Sequence, residues 1–229
     1  MKELKITDLT ELIIPPSRPL HPDAISHRVR FEQLVWPLET YQSEVDDSTY
    51  QLIKFKSHLG THVEAPVHKY GDHKSLMEFH PGTFLGHCWI FCFDIGENEG
   101  ITMDLFTKKE AGRLQENDLI ILYTTFVNPP SDRAGGCPNA PLFSNELAEY
   151  LVKKKVKMVG MDYSMSMEPN QDGMNAHDIL LDKQIPLLEG LQNLRAVKSE
   201  EVFLVAVPGL NIKGIDSSPT RALAIEGMY

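Results

Sequence analysis

Strand-like segments dominate this sequence and do not alternate regularly with helical ones. They are rich in Val, Ile, Phe and Tyr, and most are bounded by Gly, Pro, Asn or Asp, which is typical of β-strands. The segments are residues 5–14, 49–65, 88–95, 119–126, 156–161, 202–207 and 221–225. Because a doubly wound fold would alternate strands with helices, the pattern predicts an α+β fold with a large mixed sheet.

Helical signals are fewer. They predict one helix capped by Ser144, one over residues 104–114, and a short one from near His177 to before Ile185. Residues 127–141 and 164–176 have the composition of loops. Long loops inside a compact domain are usually functional or disordered, and the second of these leads directly into His177.

Charge and hydropathy exclude several classes of function. The 229 residues include 22 Lys and Arg against 32 Asp and Glu, a formal net charge of −10. Because an acidic surface repels phosphate groups, we expect neither nucleic acid nor a membrane as partner. The N-terminus lacks the apolar run of a signal peptide, and no window reaches the roughly 18 apolar residues of a membrane span. We therefore expect a cytoplasmic protein, a single domain over residues 1–229, with a small-molecule substrate.

Imidazole and carboxylate side chains are concentrated in residues 58–68, HLGTHVEAPVH. Its glycine, β-branched residues and proline disfavour the interior of a helix. In a strand, alternate residues share a face, so His58, Gly60, His62 and Glu64 would lie on one side and apolar residues on the other. The spacing therefore predicts a strand with two imidazoles and a carboxylate on one face.

That donor set suits a divalent ion such as Zn²⁺, Mn²⁺ or Fe²⁺. Gly60 would leave open space above the strand for the ion. Pro66 is expected to end the strand, so that His68 reaches the site from another direction as a proton-transfer group. An exposed polar face with satisfied histidines is the alternative, but three histidines and a glutamate within eleven residues favour a metal site.

The segment also resembles a known motif. The pattern His58-x-Gly60-Thr61-His62-x-Glu64-x-Pro66-x-His68 is similar to H-x-G-T-H-x-D-x-P-x-H of the cyclase family, metal-dependent hydrolases that include bacterial kynurenine formamidase and isatin hydrolase. Further similarities to that family are the twelve-residue spacing of His177 and Glu189, the pattern V-x-x-V-G-x-D at residues 156–162, and S-P-x-R-A at residues 218–222.

This resemblance implies a metal site and a fold. It implies one or two Zn²⁺ or Mn²⁺ ions per chain, held by His58, His62, Glu64, His177 and Glu189. The first three would hold one ion, and Glu64 would bridge to a second ion held by the other two. His68 would be the general acid and base. The implied fold is a swivelling β/β/α-type domain, assembled as a homodimer or homotetramer.

One position departs from the family pattern. Glu64 stands where the family has Asp, and its additional carbon–carbon bond adds about 1.5 Å of reach. A bridging carboxylate is sensitive to that length, so both one ion and two ions stay open.

The resemblance implies hydrolysis of a small non-peptide amide, imide or lactone, an arylformamidase-like reaction on a carbon–nitrogen bond. A metal-activated water would be the nucleophile and His68 would move the proton. Two other interpretations stay open. One is a non-haem iron enzyme that uses His62, Glu64 and His177. The other is a catalytically inactive member of the same fold that binds a metal or a ligand.

Overall fold

A nine-stranded mixed sheet forms the centre of the computed structural model, which describes residues 3–15, 35–127, 140–167 and 175–229. The strands are β1 (Lys5–Asp8), β2 (Glu39–Gln42), β3 (Thr49–Leu52), β4 (His62–Glu64), β5 (Leu85–Phe93), β6 (Gly100–Ile101), β7 (Leu119–Thr124), β8 (Leu142–Phe143), β9 (Met158–Asp162), β10 (Leu187–Leu191), β11 (Glu201–Val205), β12 (Ser217–Pro219) and β13 (Leu223–Glu226). The helices are α1 (Met103–Glu110), α2 (Asn145–Lys154) and α3 (Ala176–Asp182).

The sheet has a parallel centre with antiparallel strands on both sides. Its order is β1-β13-β11-β5-β7-β9-β10-β4-β12. Strands β5, β7, β9 and β10 run parallel to one another, whereas the strands outside them pair antiparallel. The predicted α+β fold with a large mixed sheet is confirmed.

The sheet separates two hydrophobic cores. Every residue of β7 is buried, because both of its faces are covered. Ile120 and Leu122 point into the core that contains the three helices, whereas Leu119 and Ile121 point into the core on the opposite face. This alternation follows the two-residue period of a strand, and it fixes which side of the sheet each later side chain occupies.

The helices begin where the sequence predicts. The hydroxyl of Ser144 accepts a hydrogen bond from the main-chain N–H of Leu147 at the start of α2, as expected of an N-cap. Helix α1 begins close to the predicted start but is shorter, because Ala111 adopts a left-handed conformation with φ of 51° and ends it. Among the described residues, no helix is long and apolar enough to cross a membrane.

The predicted strand over residues 49–65 is wrong in its continuity. Strand β3 pairs only with β2 in a separate hairpin, and β4 is a strand of the main sheet. Between them Gly60 has φ of +57°, a left-handed conformation outside the β region, and it belongs to neither strand. The chain therefore enters β4 through a bend, and His58 lies in that bend, outside the strand.

Candidate metal centre

The centre is built on β4, which lies between β10 and β12. In the antiparallel pair with β10, His62 is directly opposite Glu189. Residues in such a pair project to the same face of a sheet. The Nε2 atom of His62 accordingly lies 3.7 Å from Oε2 of Glu189. Strand register thus brings together His62 and Glu189, which lie far apart in the sequence.

Glu64 occupies the middle of the cluster and is almost fully buried, with 2% of its surface exposed. Its Oε2 lies 3.2 Å from Nδ1 of His58, and its Oε1 lies 2.9 Å from Nε2 of His177, which the first turn of α3 supplies. Burial alone would raise the pKa of this carboxyl. The imidazoles of His177 and His58 outweigh burial and hold the pKa of Glu64 well below its usual range.

His68 approaches from a 3₁₀ turn, Pro66–His68, that begins at the proline following β4. Its Nδ1 lies 3.2 Å from Oδ2 of Asp216, and Nε2 of His58 lies 3.1 Å from the same oxygen. The rings of His58 and His68 are 4.3 Å apart between centroids. His68 therefore reaches the cluster from a different direction than β4, and a carboxylate holds its ring.

Sequence reasoning missed Asp216. It directly precedes β12, and its main-chain carbonyl accepts a hydrogen bond from the N–H of Ala65. The only signal in the sequence is its position next to the Ser-Pro motif at residues 218–219. Nothing local in the sequence indicates that β12 pairs with β4, and this pairing is what brings Asp216 to the histidines.

The six residues that the sequence singled out meet around Glu64, in an arrangement that differs in detail from the expected one. Two sets have donor atoms within 4.8 Å of one another. They are His58, Glu64 and His68, and His62, Glu64 and Glu189. Glu64 belongs to both sets. The expected open space at Gly60 is absent, because a Cβ there would lie 2.5 Å from Cδ1 of Ile13.

The protonation of His62 tests whether a cation fits. Its Nδ1 lies 2.7 Å from the carbonyl oxygen of Gly60, and since that oxygen can only accept, Nδ1 carries the proton. Nε2 then presents a lone pair, and this atom is buried with no hydrogen-bond partner in the described part of the chain. Burial lowers the pKa of His62 to about 4, so the ring is neutral at neutral pH. A buried lone pair facing carboxylates fits a cation.

Comparisons with known proteins identify a family and several relatives of this chain. The Cyclase family model matches residues 23–168, more than half of the chain. Kynurenine formamidase of Bacillus cytotoxicus is 28% identical over 211 residues, which cover 87% of this chain and 94% of that protein.

Two solved structures share the fold. Isatin hydrolase A from Ralstonia solanacearum has a TM-score of 0.73 at 21% identity, covering 97% of this chain and 92% of that one. A protein described as a potential metal-dependent hydrolase with cyclase activity has a TM-score of 0.70 at 22% identity, covering 98% of each chain. The fold that the sequence motif implied is therefore the fold observed.

Proposed function

The chain belongs to the cyclase family, and on that premise we propose that it is a metal-dependent hydrolase of a small non-peptide amide, imide or lactone. A formamide or a small cyclic amide is the preferred substrate class. A relative with 28% identity is named a kynurenine formamidase, and one of the proteins with the same fold is named an isatin hydrolase. Both names describe hydrolysis at a carbon–nitrogen bond.

The observation that carries the proposal is the buried lone pair on His62. It faces Glu189, and Glu64 lies within the same set of donor atoms. The residues that would hold the metal are His58, His62, Glu64, His177 and Glu189, as one or two sites that share Glu64. When bound, a Zn²⁺ or Mn²⁺ ion supplies Lewis acidity, which lowers the pKa of water towards about 7 and polarises a carbonyl group.

His68 is the group of this chain that moves the proton. Asp216 accepts a hydrogen bond from Nδ1–H of His68, which leaves Nε2 as the basic atom. The imidazole is 40% exposed and can therefore meet a substrate. It takes a proton from the attacking water and passes it to the leaving nitrogen or oxygen. Asp216 acts through His68, as a positioning residue that fixes the orientation and tautomer of the ring.

Metal content is the first test. The chain is reconstituted with Zn²⁺ or Mn²⁺, dialysed, and measured by elemental analysis. We expect one or two retained ions per chain for the wild type, and loss of metal in His62→Ala. His80→Ala is the matched control, because His80 is an exposed histidine outside the cluster, and it should retain metal like the wild type. A wild-type chain that retains no ion contradicts the proposal.

Activity is the second test. The loaded chain is assayed anaerobically on a panel of formamides, cyclic imides and lactones. Turnover with zinc or manganese in the absence of oxygen supports hydrolysis. Oxygen consumption that requires Fe²⁺ would instead support the iron enzyme with His62, Glu64 and His177. That alternative leaves the proximity of Glu189 to His62 unexplained.

A further inference from the structure

A cavity lies away from the candidate metal centre, at the carboxyl ends of neighbouring parallel strands. Its volume is about 530 Å³, and Phe126, Asp162, Ser164, Leu191, Leu194 and Arg195 are among its lining residues. Strands β7, β9 and β10 end beside it. Ligands of open sheets bind preferentially outside the carboxyl ends of parallel strands. The volume is within the range of roughly 300–1,000 Å³ that is typical of small-molecule sites.

The two sites are on opposite faces of the sheet. On β9, Asp162 follows Met158 by four residues, and Met158 lies in the core opposite the helices. On β10, Glu189 follows Leu187 by two residues, and Leu187 lies in the core with the helices. Because side chains alternate along a strand, Asp162 projects away from the face that carries Glu189.

One wall of the cavity is formed by residues 192–196 and is held by hydrogen bonds from the rest of the chain. The N–H of Gln192 donates to the carbonyl of Leu9, at 2.8 Å. The guanidinium of Arg195 donates from Nη2 to the carbonyl of Thr125, at 2.9 Å. A wall fixed in this way is ordered before a ligand arrives, which lowers the entropic cost of binding.

Opposite charges line this cavity without pairing to each other. Asp162 and Arg195, both in the described part of the chain, form no ion pair within 4.0 Å. The carboxylate of Asp162 accepts a hydrogen bond from the N–H of Ser164, at 2.8 Å. Burial raises the pKa of this carboxyl, and the contacts with Ser164 and the charge of Arg195 only partly oppose that effect. A buried carboxylate is stabilised by a cationic donor.

Arg195 has side-chain N–H groups available to bind an anion. A guanidinium has five N–H groups in a planar fork that matches a carboxylate. Among the described residues, the carbonyl of Thr125 is its one hydrogen-bond acceptor. Besides the two charged groups, the cavity is lined by the apolar side chains of Phe126, Leu191 and Leu194.

We propose that this cavity binds a small apolar α-amino acid, with its ammonium group at Asp162, its carboxylate at Arg195 and its side chain against Phe126 and Leu194. A zwitterion of this kind satisfies both charges at once and covers the apolar wall. The site is independent of the hydrolase activity proposed above, because it shares no residue with the metal centre.

Isothermal titration calorimetry of the metal-free protein tests the proposal, with L-phenylalanine as the probe. 2-Phenylethylamine lacks the carboxylate and 3-phenylpropionate lacks the ammonium group, so each should bind at least tenfold more weakly than the amino acid. Arg195→Gln should weaken binding of L-phenylalanine at least tenfold. Arg221→Gln is the matched control, because Arg221 is an exposed arginine outside the cavity, and it should bind like the wild type.

Three results would overturn the proposal. The first is absence of saturable binding of L-phenylalanine by the wild type. The second is equal affinity of the wild type and Arg195→Gln for L-phenylalanine. This comparison remains decisive if Asp162→Asn fails to fold, because Arg195 is exposed and its substitution should leave the fold intact. The third is loss of binding in His62→Ala, which would place the amino acid at the metal centre. Binding that Arg195→Gln and Asp162→Asn weaken and His62→Ala leaves unchanged supports it.

Discussion

Gly190 lies against the main chain of Gly60, beside the candidate metal centre. It follows Glu189 on β10, has φ of +69°, and its carbonyl accepts a hydrogen bond from the hydroxyl of Thr61 at 2.7 Å. A Cβ at this position would lie 2.6 Å from the carbonyl oxygen of Gly60 and 2.6 Å from the hydroxyl of Tyr163. The side chain of Tyr163 can rotate away, whereas the carbonyl of Gly60 is main chain and is held by Nδ1 of His62.

We expect Gly190→Ala to destabilise the fold by two separable effects. The left-handed conformation costs a residue with a Cβ roughly 1–2 kcal/mol. Overpacking against main chain costs about 1–3 kcal/mol more. The sum is about 2–5 kcal/mol, a large part of the roughly 5–15 kcal/mol that stabilises a typical protein.

Gly214→Ala is the matched control for this prediction. Gly214 has φ of +78°, and no heavy atom lies within 4 Å of the Cβ position. Its substitution therefore carries the conformational cost without the steric one, and the gain from reducing the entropy of the unfolded chain is common to both variants. Urea unfolding measures the free energy of unfolding of each variant. Equal losses in the two variants would refute the steric argument.

Three further predictions concern the proposed proton carrier, a pH dependence and a helix cap. His68→Ala should retain its metal in elemental analysis while the turnover rate falls by about 10²–10⁴-fold, as expected for loss of a general acid–base group. Partial burial lowers the pKa of His87, but the carboxylates of Glu201 and Asp118 outweigh it and hold the pKa above its ordinary value. The contribution of this imidazole to the free energy of unfolding is therefore fully present below about pH 6.5 and is lost as pH rises through the raised pKa. The difference in urea midpoint between wild type and His87→Gln should therefore shrink with rising pH. Ser144→Ala should lower the free energy of unfolding by about 1 kcal/mol, because the start of α2 loses its cap; an unchanged urea midpoint would contradict this.

Local chemistry made a large part of this fold predictable. The strands and helices with strong periodicity lie near their predicted positions, and the cap at Ser144 follows from the preference of its hydroxyl for a free N–H. The polar cluster also follows from spacing, since alternate residues of β4 carry His62 and Glu64 to one face. The same spacing gives a wrong prediction at His58, because the left-handed φ of Gly60 breaks the alternation two residues later.

Pairings between distant parts of the chain were beyond sequence reasoning. Asp216 becomes a partner of His58 and His68 only because β12 pairs with β4, and the sequence contains no local signal for that pairing. The cavity at Asp162 has the same origin, since it requires the end of β9 and the 3₁₀ turn Leu194–Ala196 to meet. Such features depend on tertiary contacts, which override local patterns.

The position of β4 between β10 and β12 has a consequence for how the protein matures. The hydroxyl of Thr61 bonds to Gly190, 129 residues away, and the hydroxyl of Ser217 bonds to Val63, 154 residues away. Contacts of such high sequence separation form late, because a long loop must close before they can. A chain emerging from the ribosome therefore has its histidine-rich segment exposed long before β10 and β12 can enclose it. Uptake of a cation by the finished cluster would report that synthesis and folding of the whole sheet are complete.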